Sequence, residues 1–215
     1  RLLKLLCHRG NWSDKSQRNS LASLKYALQE GHGVETDVRD CNGSLVISHD
    51  MPMFDDALTL NEFLEVYVKI GKPGMLALNI KSDGLQIQLK DLLIKYAVTE
   101  YVVFDMSMPD TFGYIREKMA VAVRMSEYED GQWLLNDVDT IWLDAFNSEW
   151  YNRNTIVSLL ELGNRVFVVS PELHGRAHLP LWSILQGIPA HLVHNVYLCT
   201  DLVTEAMENF DVTQY

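Results

Sequence analysis

The 215-residue chain is poor in cysteine, in proline-rich linkers and in positive charge. Cys7, Cys41 and Cys199 are an odd number without CxxC spacing, so neither a disulfide framework nor a zinc site is expected. Three reduced structural thiols fit a cytoplasmic protein. Lys and Arg number 18 against 29 Asp and Glu, a formal charge of −11. That balance argues against nucleic acid or an anionic membrane surface as the main partner, since both recruit clustered cations. It says nothing against a small anionic substrate, which answers to local charge. No apolar run approaches the ~18 residues of an integral membrane segment. Arg1 to Cys7 is apolar but too short for the core of a signal peptide. Asn11-Trp12-Ser13 and Asn42-Gly43-Ser44 match glycosylation acceptors, a pattern that arises by chance and matters only after secretion. No linker, charge block or low-complexity stretch divides the chain, so residues 1–215 are expected to form a single domain.

What the chain does have is alternation. Strand-like runs at Leu2 to Cys7, Val34 to Val38, Met75 to Ile80, Tyr101 to Asp105, Val121 to Arg124, Thr140 to Leu143, Val166 to Ser170 and Val196 to Cys199 alternate with helical segments. The helices are expected at Asn19 to Glu30, Leu58 to Ile70, Leu85 to Ala97, Thr111 to Met119, weakly around Gln132 to Asn136, then Asn154 to Leu162, Leu179 to Gln186 and Leu202 to Asn209. Asn42-Gly43 is a hairpin turn leading into Ser44 to Ser48. About eight β-then-α units imply parallel strands, and they fit a closed (β/α)8 TIM barrel better than the alternative, an open doubly wound sheet.

Either architecture places the chemistry at the carboxyl ends of the strands. The first strand ends in His8-Arg9-Gly10. The second carries Glu35 and Asp37 at i, i+2, on one side of the strand, and its hairpin return ends in His49-Asp50. The third ends in Asn79-Ile80-Lys81. Two inward carboxylates need compensation, and a divalent cation would supply it. Oxygen ligands favour Mg²⁺, Ca²⁺ or Mn²⁺ over zinc. A plain salt bridge to Lys81 is the bland alternative.

His8-Arg9-Gly10, Asn19-Ser20-Leu21, Glu35-Thr36-Asp37-Val38 and His49-Asp50 together resemble the glycerophosphodiester phosphodiesterase family. That family belongs to the phospholipase-C-like phosphodiesterase superfamily, whose fold is a (β/α)8 barrel. The resemblance runs to Cys199-Thr200-Asp201, which looks like the family's last strand end, but the first fifty residues carry most of its specificity. It implies metal-dependent hydrolysis of a glycerophosphodiester or related small or polymer-linked phosphodiester, and a place in lipid metabolism. It also implies roles: Glu35, Asp37 and Asn79 on one divalent cation, Arg9 and Lys81 on the substrate phosphate, and His8 and His49 as acid and base. We assign His8 the base and His49 the acid. A homo-oligomer is left open.

Three departures from the family pattern matter. Asn79 stands where the family usually carries a Glu metal ligand, with Asp144 and Glu172 as carboxylates able to compensate. Arg18 replaces an acid before Asn19. Only Met51 to Ala57 separate His49-Asp50 from the next helix, where relatives carry an insertion that shapes the substrate pocket. Two further readings stay open: a lyase that stops at a cyclic phosphate, and a non-catalytic barrel that binds a phosphoester. His174, His178, His191, His194, Trp142 and Trp150 are expected to be structural or surface residues.

Overall fold

The computed structural model describes residues 3–53 and 57–212. Its element order repeats strand then helix, the order of a (β/α)8 barrel, with one added hairpin strand. The chain divides into two compact units, residues 7–121 and residues 3–6 with 122–212. The first strand, β1 (Lys4–His8), runs from the second unit into the first. Leu2, expected at its start, lies outside the described residues, as do residues 54–56 of the Met51 to Ala57 connection.

In the 7–121 unit, α1 (Leu21–Gln29) leads to β2 (Gly33–Cys41), which turns at Asn42-Gly43 into the antiparallel β3 (Ser44–Ile47). Both turn residues have positive φ, as this tight hairpin requires. Next come α2 (Leu60–Lys69), β4 (Leu76–Ile80), α3 (Gln86–Lys95), β5 (Tyr101–Phe104) and α4 (Met108–Arg116). β2, β4 and β5 are parallel neighbours. The periodicity explains the packing. In α2, Leu60, Phe63, Leu64 and Tyr67 form one buried stripe, each such side chain worth roughly 1.5–3 kcal/mol against exposure. Thr59 starts that helix in a capping box with Glu62.

The other unit holds β6 (Ala122–Met125), β7 (Thr140–Leu143), α5 (Arg153–Glu161), β8 (Arg165–Val169), α6 (Leu179–Gln186), β9 (Val196–Thr200) and α7 (Val203–Asn209). Its strands pair in parallel in the order β6, β7, β8, β9. Trp142 is buried against Phe167, as expected of a core residue.

Two segments differ from expectation. α4 begins at Met108 and ends at Arg116, because Ser107 precedes it and Pro109 fits the first turn, where no N–H is needed. Around residues 132–136 there is only a single 3-10 turn, Gln132–Leu134, whose N-terminal residue Gly131 provides no side-chain cap.

Candidate active site

The seven residues singled out by the sequence all lie in the 7–121 unit, at the carboxyl ends of β1, β2 and β4 and after β3. β1 ends in a sharp turn. Arg9 has φ 57° and Gly10 φ 93°. The Arg9 N–H donates to the Glu35 carbonyl at 2.8 Å, which ties this turn to β2. A Cβ on Gly10 would stand 2.6 to 2.8 Å from Ser23 and the Leu24 backbone nitrogen, so only glycine lets α1 approach so closely. The loop then folds back, and the Asn19 N–H donates to the Arg9 carbonyl at 2.9 Å.

Glu35 and Asp37 are buried, at 2% and 0% exposure. Asp37 Oδ2 accepts from Asn19 Nδ2 at 2.8 Å and lies 2.8 Å from Arg9 Nε. The Arg9 contact is an ion pair whose N–H is not aimed along a hydrogen bond. Asp37 Oδ1 stands 3.5 Å from Lys81 Nζ, too long for a strong hydrogen bond. Glu35 Oε2 lies 3.9 Å from His8 Nε2. Burial, followed by the neighbouring Asp37 charge, pushes the Glu35 carboxyl up to about 7 from an ordinary 4.5, against the pull of His8, Arg9 and Lys81.

Asn79 sits directly across the parallel register from Asp37. Lys81 is anchored next to it by its N–H, which donates to the Val38 carbonyl at 2.8 Å. The Ser48 N–H donates to the Asp37 carbonyl at 3.1 Å, which brings the end of β3 to the same rim. His49 follows. It is half-exposed, its Nδ1 is 2.9 Å from Asp50 Oδ1, and its carbonyl accepts from Arg39 Nη1 at 3.0 Å. Because Asp50 engages Nδ1, Nε2 is the ring nitrogen available for proton transfer.

Could these residues hold a divalent cation? Glu35 Oε2, Asp37 Oδ1 and Asn79 Oδ1 are each buried without a hydrogen-bond partner. Buried oxygens are ordinarily satisfied, and three such atoms on adjacent strands match what a hard cation takes as ligands. Among the described residues no group of three or more His, Cys, Asp or Glu side chains forms a ready-made metal cluster. The donor set is therefore two carboxylates and a neutral amide oxygen, and it fits a Mg²⁺-, Ca²⁺- or Mn²⁺-type ion.

Asp144 and Glu172 both make hydrogen bonds within their own unit, although Glu172 Oε2 is itself buried without a partner. Asp144 Oδ1 lies 2.7 Å from His174 Nε2 and accepts from the Ala145 N–H at 2.8 Å. Glu172 Oε1 accepts from the Thr200 hydroxyl and the Asp201 N–H. Trp150 donates to the Asp144 carbonyl, and His178 pairs with Glu205.

Two residues at the site had no role assigned from the sequence. Asn19 bridges Asp37 and Thr36, whose hydroxyl donates to Asn19 Oδ1 at 2.8 Å. Asp105, just beyond β5, lies 3.5 Å from Lys81 Nζ. Among the described residues, seven non-glycine residues have left-handed φ. Asn42 turns a hairpin, and Lys72, Ala97 and Lys118 follow helix ends, which are ordinary places for it. The other three are Arg9, Asn19 and Asp105. Such outliers gather at functional sites.

No protein-family model and no curated protein sequence matches this chain. Its likeness is to solved structures. A glycerophosphodiester phosphodiesterase from Parabacteroides distasonis superposes with a TM-score of 0.65 at 19% identity, covering 96% of this chain and 95% of that one. A phosphodiesterase from Oleispira antarctica, in complex with the product sn-glycerol-3-phosphate, gives 0.66 at 19% identity, covering 97% and 96%. A glycerophosphodiester phosphodiesterase from Agrobacterium tumefaciens gives 0.66 at 17% identity, covering 93% and 95%. At these identities the shared property is the fold, over nearly the full length of each chain.

Proposed function

We propose that this protein is a metal-dependent phosphoric diester hydrolase acting on a glycerophosphodiester or a related glycerol or sugar phosphodiester. The observation that carries the reading is the buried pair Glu35 and Asp37, with unsatisfied oxygens, beside the cations Arg9 and Lys81 at one strand-end rim. Solved structures of the same fold act on glycerophosphodiesters or hold sn-glycerol-3-phosphate, which supports that substrate class. A divalent cation held by Glu35, Asp37 and Asn79 would supply Lewis-acid neutralisation of a phosphoryl oxygen. Arg9 and Lys81 contact the remaining phosphoryl oxygens and oppose the charge that builds there. His8 accepts the proton of the attacking oxygen, which is water or a substrate hydroxyl, and Glu35 stabilises the imidazolium that results. As the phosphorus–oxygen bond to the leaving alcohol breaks, His49 Nε2 donates a proton to it.

The test is purified protein incubated with glycerophosphodiesters and Mg²⁺, Ca²⁺ or Mn²⁺, with products followed by ³¹P NMR. A phosphomonoester should accumulate. EDTA should abolish turnover, and His49→Ala should lower kcat about 10²–10⁴-fold. Turnover that survives either change would refute the mechanism. A cyclic phosphate as end product would instead identify a lyase, and binding without turnover a phosphoester-binding barrel.

A further inference from the structure

We propose that Asp105 is a positioning residue of this site: it holds Lys81 away from Asp37, so that Asp37 Oδ1 remains open to the cation. The inference rests on the cation reading above and adds to it a residue outside the ligand set Glu35, Asp37 and Asn79.

Three observations carry it. First, Lys81 Nζ is 3.5 Å from Asp37 Oδ1 and 3.5 Å from Asp105 Oδ2, poised between two carboxylates and close to neither. Had Asp37 been its one partner, the ammonium would close to the 2.7–2.9 Å of a charge-assisted hydrogen bond and occupy the oxygen. Second, Asp105 takes up this place with φ 71°, a conformation that costs a non-glycine residue energy and that Asp tolerates better than most. Third, the charges close. With Glu35 ionised, the three carboxylates Glu35, Asp37 and Asp105 outweigh Arg9 and Lys81 by one negative charge. A divalent cation and a diester monoanion together add one positive charge, so the loaded site is neutral. Without Asp105 the empty site would sum to zero instead of one negative charge and would attract a cation less in this partly desolvated setting. In this count Asp105 offsets the charge of Lys81, the ammonium it restrains.

The experiment is calorimetric titration of Mn²⁺ into the full chain, with thermal unfolding in EDTA as the fold control. Asp105→Asn and Asp105→Gly both remove the carboxylate while suiting a left-handed backbone, so at least one is expected to fold with an unchanged midpoint. Each should weaken Mn²⁺ binding about tenfold, a change within the usual range for coupled neighbours. In a Lys81→Met background the same substitution should change affinity less than about twofold, because the ammonium it restrains is gone. A merely structural role would not depend on Lys81. Undiminished weakening in that background would overturn the inference and place Asp105 on the ion directly. Wild-type affinity in both Asp105 variants would overturn it alone. A wild-type chain that binds no Mn²⁺ would overturn the cation reading and this inference with it.

Discussion

Glu35 sits in an environment unlike the one its side chain meets in water. Its carboxyl is raised to about 7 by burial and then by the Asp37 charge. Between about pH 4.5 and 7 the unfolded chain has therefore released a proton that the folded chain still holds. By linkage, stability falls as pH rises through that window, and the contribution is fully present only below it. In EDTA, Glu35→Gln should flatten this decline relative to wild type, read from chemical denaturation at several pH values. Equal slopes in the two proteins would show that Glu35 is ionised throughout. At the opposite extreme, Glu127 is held down to about 2. Burial works to raise it, but the N–H groups of Asn147, Phe146 and Ser148 outweigh that effect. The same residue type is pushed up or held down according to whether burial and like charge or surrounding N–H donors dominate its environment.

Among the elements, the turn between β1 and α1 does most to assemble the site. It places Arg9 against Asp37 and brings Asn19 back over β2, and it depends on α1 packing against Gly10. Gly10→Ala would introduce a Cβ within 2.8 Å of helix backbone at a φ of 93°. Because backbone, unlike a flexible side-chain tip, must move, the expected loss is about 2–4 kcal/mol by denaturant unfolding. A loss below about 1 kcal/mol would mean that α1 shifts freely and that the turn does not set the site. The helices and most strands were legible because each carries its own period. Where local signals competed, as at Gln132 to Asn136, one 3-10 turn replaced the expected helix.

For the whole molecule, a charge of −11 means that cations will gather on the surface without any specific site. Specific binding must therefore be measured against that background, with ionic strength matched by NaCl. Among the described residues no helix is long and apolar enough to cross a membrane. A divalent cation at about 100 times its Kd should stabilise the fold by about 2.7 kcal/mol, or raise Tm by about 5–10 °C. Asn79→Glu should enlarge the rise at equal cation concentration, because a third carboxylate replaces an amide oxygen. If Asn79→Glu and wild type rise equally, residue 79 is not a ligand.

Strand-helix alternation, and the presence of His, Arg, Lys and paired carboxylates at strand ends, followed from the amino-acid sequence alone. Both depend on periods of two and 3.6 residues, which act over short stretches of chain. The spacing of Glu35 and Asp37 puts them on one side of β2 whatever β2 packs against. What only the tertiary structure decided is how those charges are apportioned: Asn19 on Asp37, Asp105 against Lys81, and a buried Glu35 whose carboxyl is pushed up to about 7. Residues 18 to 44 positions apart meet there through parallel crossovers and left-handed turns. Desolvation and through-space charge act between such neighbours, and no local pattern records them.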